Sequence, residues 1–344
     1  MEREELDLLL DGARRWFAEH APLSERVARF RQGHLAPTGS WAALAGLGWL
    51  ALPLPEEADG FGAPASACFE LLRLAGRDAR PEALDLHLLL APLLVRLAPE
   101  LAASLSAGTL RLAMADLQPE AEGPRRDAEQ LSGRTGALLG AEHATHALLP
   151  LASGGLALLE LAAAGVSREP ARWVDGRATA RLQLDRTTVR HWPGLAEQAV
   201  DRAAAALVAD ATGVFEAAFE LTLDYLKQRM QFGKPLSANQ ALQHRMAEIF
   251  CDLQQALALT ERLAQEIDAE AAGPWPTLPV AKSFVGRRVL RGVGALIQVT
   301  GGIAVTEEYR LTHWYRRLHV NARCFGAAEA QLNRIEVRRQ LLAA

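Results

Sequence analysis

Apolar positions along this chain keep two different periods, and the period changes twice. From Leu6 to about Ala107 they recur at helical spacing. Leu6, Leu9, Leu10, Ala13, Trp16 and Phe17 form one face of a first amphipathic helix, and a leucine-rich run from Leu84 to Leu97 forms a later one. Between them Leu44, Leu47, Leu50 and Leu52 lead into a turn cluster, Pro53-x-Pro55-Glu-Glu-Ala-Asp-Gly60-Phe-Gly62, before Phe69–Leu74 resumes the helical pattern. From Thr109 to about His191 the runs are short and separated by Gly and polar residues: Leu110–Met114, Gly136–Gly140, Ala147–Pro150 and Gly155–Leu161. Ala180–Val189 alternates with period two, the mark of a half-buried strand. Ala and Leu are poor strand formers, yet the grouping predicts a small β-domain.

From Leu195 onward the period is helical again. Leu207, Ala211, Val214, Ala218, Leu221 and Tyr225 make the stripe of one long helix, which Gly233 and Pro235 are expected to stop. Leu242, Met246, Ile249, Leu253 and Leu257 repeat the stripe, so the two helices read as an antiparallel hairpin. A third helix is expected on Val280, Phe284, Val289, Val293 and Leu296, broken at Gly301-Gly302. The last helices carry Leu311, Trp314, Tyr315 and Leu318.

Composition narrows the function classes. With 344 residues, 50% of them hydrophobic, the chain can bury cores in two or three domains. A net charge of −4 carries no polyanion-binding signal, which argues against nucleic acid as a partner. Cys68, Cys251 and Cys324 lie far apart with no CxxC, which suits a reducing compartment and speaks against structural zinc. His143-x-x-His146 has no carboxylate or thiol constellation beside it, so no metal is expected. No apolar run reaches the length of a membrane span, and Met1-Glu-Arg-Glu-Glu5 is acidic rather than signal-like. A cytoplasmic protein is the expectation. Gly-x-Ser-x-Gly, P-loop, His-Glu-x-x-His and Rossmann glycine patterns are all absent.

The chemistry-bearing stretch is the turn between the first two long C-terminal helices. Lys227, Arg229 and Lys234 gather there with Phe232. Cations and an aromatic ring beside free helix-end groups suit an anionic ligand such as a phosphate, and equally describe a solvated helix end. The wording of the stretch goes further. Arg229-x-Gln231-Phe232-Gly233-Lys234-Pro235, then Gln240 and Gln243-His244-x-x-Ala247, closely resembles the signature of the acyl-CoA dehydrogenase family. So does Gln298-Val-Thr-Gly301-Gly302-Ile-Ala-Val-Thr306-Glu-Glu308-Tyr309, in the family's order, with Lys282 between the two. The Pro-Glu-Glu…Gly-Phe-Gly loop and Asp175-Gly176-Arg177 are similar to family patterns as well.

The resemblance implies a fold that is mainly α with a small β-domain. Residues 1–108 would be an N-terminal all-α domain, 109–193 a middle β-barrel or sandwich, and 194–344 a C-terminal four-helix bundle. It implies FAD as cofactor, with Arg229, Phe232, Gln240, Gln298, Gly301 and Gly302 holding the adenine and diphosphate end of a flavin seated mainly in a neighbouring subunit. An acyl-CoA substrate follows from it, in fatty-acid or steroid side-chain breakdown. So do a homo- or heterotetramer and an electron-accepting flavoprotein partner.

Two features depart from the family pattern. Where the family places hydroxyl residues and a Trp against its own flavin, this chain reads Ala115-Asp-Leu-Gln-Pro119-Glu-Ala and Leu138-Leu-Gly140. Family chemistry also needs a base for the pro-R α-proton, usually a Glu in a Tyr/Phe-Glu-Gly-Thr pattern late in the chain. Alignment puts Gly326-Ala327-Ala328 there, and Glu329 two positions on should face elsewhere. A minority of the family carries the base at the start of the bundle's first helix, directly before an Arg. That position reads Asp201-Arg202, which makes Asp201 the candidate base and Arg202 a candidate substrate-pocket residue. An Asp near a helix start is equally a capping residue. The chain therefore reads either as an FAD-dependent acyl-CoA dehydrogenase using Asp201, or as the partner subunit that completes a Glu-bearing neighbour's flavin site.

Overall fold

The structure, a computed structural model, describes residues 3–20, 23–32, 39–117 and 121–343. Before the first strand come α1 (Arg3–His20), α2 (Leu23–Gln32), α3 (Ser40–Gly46), α4 (Ala65–Arg77), α5 (Leu84–Leu97) and α6 (Ala102–Ser106). The strands are β1 (Leu112–Ala115), β2 (Arg125–Asp127), β3 (Gln130–Arg134), β4 (Leu138–Leu139), β5 (His146–Pro150), β6 (Leu156–Glu160), β7 (Val166–Arg172), β8 (Ala178–Thr188) and β9 (Arg190–Trp192). Then follow α7 (Ala196–Gln228), β10 (Met230–Gln231), β11 (Lys234–Pro235), α8 (Gln240–Ala269), α9 (Thr277–Phe284), α10 (Leu290–Thr300), α11 (Arg310–Asn321) and α12 (Ala328–Ala343). No helix among the described residues is long and apolar enough to cross a membrane. The contacts divide the chain into two compact units that interleave along it: residues 1–7, 29–68 and 81–206, and residues 8–28, 69–80 and 207–344.

The first unit holds a β-sandwich. One sheet runs β4-β1-β5-β6-β9 and the other β2-β3-β8-β7. Ala113, Ala147, Leu149, Ala157 and Leu159 of the first share a core with Leu131, Leu182 and Leu184 of the second, so the sheets meet face to face. The period-two run is the long β8, in which Leu182 and Leu184 are buried while Arg181 and Gln183 are exposed. Sequence periodicity misses β2, β3, β7 and β9. Both β2 and β7 are sheet edges, their residues almost all exposed, so no apolar alternation marks them. Pro170 is tolerated within β7 because an edge strand has one side free of ladder bonds. Beside the sandwich α5 is buried nearly all round, as its leucines require. His87 on α5 bonds through Nε2 to the Leu50 carbonyl oxygen at 3.0 Å, and burial pushes its pKa down to about 4.

The second unit is the helical bundle. From residue 207 to 215 every residue of α7 is buried, whatever its direction around the helix. Part of the reason is the crossing of α4 on α7. A Cβ on Gly76 would stand 2.1 Å from the Asp210 carbonyl oxygen, and one on Gly213 would stand 1.9 Å from that of Arg73. The two backbones touch with no side chain between them. Ion pairs Arg73–Glu216 (3.1 Å) and Arg77–Glu216 (3.0 Å) flank the crossing.

Contacts of Thr212 with Thr260 (2.8 Å between hydroxyl oxygens) and of Phe219 with Phe250 (ring centroids 5.7 Å) set α8 antiparallel to α7. The helix α8 also packs on α9, α10 on α11, and α12 on α9. A π-turn over Val285–Val289 joins α9 to α10 and shifts the register of the apolar stripe. That corrects one expectation: Val280 is exposed, and Leu278, Ala281 and Val285 are buried in its place. At the centre of the unit Asp210 is 1% exposed and accepts from Arg317 Nε (2.9 Å) and Nη2 (2.6 Å), and from the Asn321 amide. Lys282, fully buried, donates to the Asn321 carbonyl oxygen.

Candidate functional site

The first motif is a hairpin rather than a plain helix stop. The helix α7 ends at Gln228, and β10 and β11 pair Met230 with Pro235 and Gln231 with Lys234. Phe232 (φ 53°) and Gly233 (φ 78°) form the two-residue turn, positive φ at both central positions being the requirement of a type I′ turn. The Leu236 amide donates to the Arg229 carbonyl oxygen at 2.9 Å and closes the hairpin. Asn239 caps α8, its side chain accepting from the Ala241 amide at 3.0 Å. From residue 227 to 234 every residue is exposed, and the Phe232 ring, 91% exposed, stands clear of the unit.

The second motif reaches the same end of the bundle. Tyr225, on the last turn of α7, meets Tyr309 edge-on with ring centroids 6.3 Å apart. Between α10 and Tyr309 the chain turns at Gly301, whose φ of 83° and ψ of −157° no side chain would favour. A Cβ on Gly301 or Gly302 would meet no protein atom within 4 Å. Gln240, Gln298, Gly301 and Gly302 are all exposed, as are Arg229 and Phe232. Sequence spacing could not have shown that the two motifs share one end of a bundle, because the 50 residues 248–297 of helix and turn separate them.

Asp201 and Arg202 belong to the other unit and are buried, at 9% and 5% exposed. Arg202 Nη1 donates to the Leu89 carbonyl oxygen at 3.0 Å. Burial, with the charge of Arg96 added, pulls its pKa down to about 10, which leaves it cationic at neutral pH. Asp201 is past the first turn of α7, where the uncapped amides lie and where Glu197 is the acidic residue. Capping therefore does not account for it. In the same unit a cleft of about 790 Å³ is lined by Glu100, Arg126, His146, Glu160, Arg190 and His191, and by none of the residues expected at the site. Burial lowers the pKa of both histidines there.

Residues 181–339 match the acyl-CoA dehydrogenase C-terminal domain. The chain is 33% identical over 174 residues to acyl-CoA dehydrogenase IpdE2 of Mycobacterium tuberculosis, covering 49% of this chain and 51% of that one. Its match to IpdE2 of Mycolicibacterium smegmatis is 31% identical, over 44% and 45% of the two chains, so it spans about half the length of these curated relatives. A variant of the Tcur3481–Tcur3483 steroid ACAD has the same fold over 99% of both chains, with a TM-score of 0.90 and 27% identity. The chain thus resembles the acyl-CoA dehydrogenase family, in fold over its whole length and in the sequence of its C-terminal part.

That likeness sharpens what the site residues can hold. Arg229 has no ion pair among the described residues, Phe232 offers a ring face, and the Gly301-Gly302 backbone is open to close approach. These groups fit the adenine and diphosphate end of FAD. The segments Ala115–Leu117 and Leu138–Gly140 offer no hydroxyl, and Leu138 and Leu139 are buried. Gln118, Pro119 and Glu120 of the first segment lie outside the described residues. Near the C-terminus Gly326 is the glycine with a left-handed φ, 91°, so it is the natural seat for the glycine of the family's Glu-Gly-Thr pattern. That shifts the expected alignment by two residues, from Ala327, and places Phe325, buried at 1% exposed, at the position of the Glu. Either register leaves no carboxylate there, and Glu329 is exposed on α12.

Proposed function

We propose that this chain works in the FAD-dependent α,β-dehydrogenation of an acyl-CoA thioester, as the subunit that completes the flavin site of a Glu-bearing neighbour. The observation carrying the proposal is that the six family flavin contacts stand exposed on one unit while the position of the catalytic Glu holds Phe325 or Ala327. Bound FAD would supply the acceptor for the substrate β-hydride. Arg229 would hold a diphosphate oxygen, Phe232 would stack on a ring, and Gln240 and Gln298 would bond polar edges of the adenosine half. Gly301 and Gly302 would let backbone approach the ligand closely. Likeness to a steroid ACAD supports a steroid-type or fatty acyl thioester as the substrate and a tetramer, homo- or heteromeric, as the assembly. An electron-accepting flavoprotein would reoxidise the assembly.

A second reading has its own observation. Asp201 lies beyond the helix's capping turn and beside the anchored Arg202, so it remains the candidate base of an enzyme active by itself. One preparation separates the two readings: purify the chain alone and with its candidate partner, then count flavin per subunit. The partner-subunit reading expects little FAD on the chain alone and flavin with activity in the mixture. A homo-oligomer carrying about one FAD per chain and oxidising an acyl-CoA unaided would overturn it. In that event Asp201→Asn should abolish α-proton exchange of bound acyl-CoA with flavin content unchanged, since Asn keeps the size but takes no proton.

A further inference from the structure

The cleft of about 790 Å³ belongs wholly to the first unit, at one end of a sheet. The order β4-β1-β5-β6-β9 puts β9 at that end and β4 and β1, which hold Leu138 and Ala115, at the other. Strand pairing lays out the cleft's sheet residues in rows. Trp192 stands opposite Leu156, Arg190 opposite Leu158, and His146 opposite Glu160. The first and third rows are four residues apart, which is about 13 Å along the strands. Leu97 and Leu101, from the end of α5 and the turn after it, also line the cleft. A Cβ on Gly155 would stand 2.1 Å from His191 Nε2, so glycine there makes room for the imidazole. The volume lies within the range of small-molecule sites.

The charges in the cleft leave an acidic surplus. Glu100, Glu129 and Glu160 line it together with Arg126 and Arg190, three carboxylates against two guanidinium groups. Arg190 is committed to Glu100, and Arg126 donates to the Ala128 carbonyl oxygen. Among the described residues neither Glu129 nor Glu160 has an ion pair or a side-chain hydrogen bond. Burial lowers the pKa of His146 and His191 from 6.5, so both are neutral at pH 7 and the surplus stands. The two free carboxylates flank one junction, Thr188–Val189, where the chain passes from β8 into β9. The Val189 amide donates to the Glu129 carbonyl oxygen at 2.9 Å, and Glu160 lies two residues beyond Leu158, the partner of Arg190. From that junction Leu158 and the half-buried Trp192 continue as apolar surface. Ionised carboxylates only accept hydrogen bonds, and an ammonium, with three donors and a positive charge, satisfies two of them at once.

We propose that this cleft binds an organic primary amine, with its ammonium held by Glu129 and Glu160 and its apolar body laid along Leu158 towards the Trp192 indole. The preference is opposite in charge to that of the exposed hairpin, because a surplus of carboxylates repels phosphates and thioester-linked nucleotides alike. None of the six flavin contacts lines the cleft, so the amine site stands or falls independently of the flavin-completing role.

The test titrates the full-length chain calorimetrically with 2-phenylethylamine, 2-phenylethanol and phenylacetate, which offer a similar body with a cation, no charge or an anion. The amine should bind at least about tenfold more tightly than the alcohol, and phenylacetate more weakly still. The double variant Glu129→Gln, Glu160→Gln should lose about tenfold or more in amine affinity, in proportion to the charge-assisted bonds removed. Both carboxylates are exposed, so unchanged thermal melting checks that this variant is folded. Arg190→Gln, which frees Glu100, should instead tighten the amine. No heat with the amine up to about 10 mM would overturn the proposal. Equal binding of amine and alcohol would overturn it as well, and so would full amine affinity in the double variant. A weaker or unchanged affinity in Arg190→Gln would remove the charge surplus as the basis of recognition.

Discussion

One helix displays the contrast that organises this protein. Over residues 201–215 α7 is buried on every side and carries Asp201, Arg202 and Asp210; just past its end, residues 227–234 are exposed without exception. Charged groups in the first stretch are committed: Arg202 to a backbone carbonyl, Asp210 to Arg317 and Asn321. In the second, Arg229 is left to solvent among the described residues. Buried polar groups must be satisfied inside the fold, so they cost much to disturb and recognise little that arrives from outside. Exposed groups on a rigid hairpin do the reverse. The stretch that resembles the family most closely is thus the one contributing least to holding this chain together.

That contrast can be broken at its heavy end first. Asp210→Ala removes a carboxylate and strands the buried Arg317, which should cost about 3–5 kcal/mol in urea unfolding. A loss near zero would mean the network is not as buried as its geometry says. Next comes a pH effect. His87 in the folded chain has a pKa of about 4 against 6.5 in the unfolded chain, so the unfolded state takes up its proton first as pH falls. The stability involved is fully present above pH 6.5 and drains away towards pH 4, by up to about 3 kcal/mol. His87→Gln should flatten the difference between stabilities measured near pH 7 and near pH 5.

At the exposed end the sensitivities change kind. Arg229→Ala should leave melting unaltered yet weaken FAD retention in the assembled oligomer by about 1.5–3 kcal/mol, read as fluorescence of released flavin. Unaltered FAD affinity would take the cation out of the site. Smallest of all, Phe232→Ala should move the unfolding free energy by no more than about 0.5 kcal/mol, as expected of an exposed side chain. A larger loss would show that the ring packs on something within this chain.

Much of this is legible in the sequence. Helical stripes such as Leu6 to Phe17 and Leu84 to Leu97 coincide with α1 and α5, because one-sided or complete burial of a helix writes its period into the sequence. The edge strands β2 and β7 were not legible, since a strand exposed on both faces needs no apolar alternation. Val280 was misplaced because a π-turn inserts a register shift that no count of threes and fours anticipates. At the site, motif wording identified Arg229 and Gln298. It could not show Tyr225 against Tyr309, because that is a fact of tertiary approach.

Phe232 has one more implication. Its backbone, at φ 53°, lies in the left-handed region, which costs a bulky residue about 1–2 kcal/mol and glycine almost nothing. A library of hairpin variants selected for thermal resistance alone would therefore fill this position with Gly or Asn and discard the ring. Selected for grip on the dinucleotide, the same library should return to an aromatic residue. The two screens would diverge at one position of the tip, and their disagreement would measure what binding demands of a residue that folding would replace.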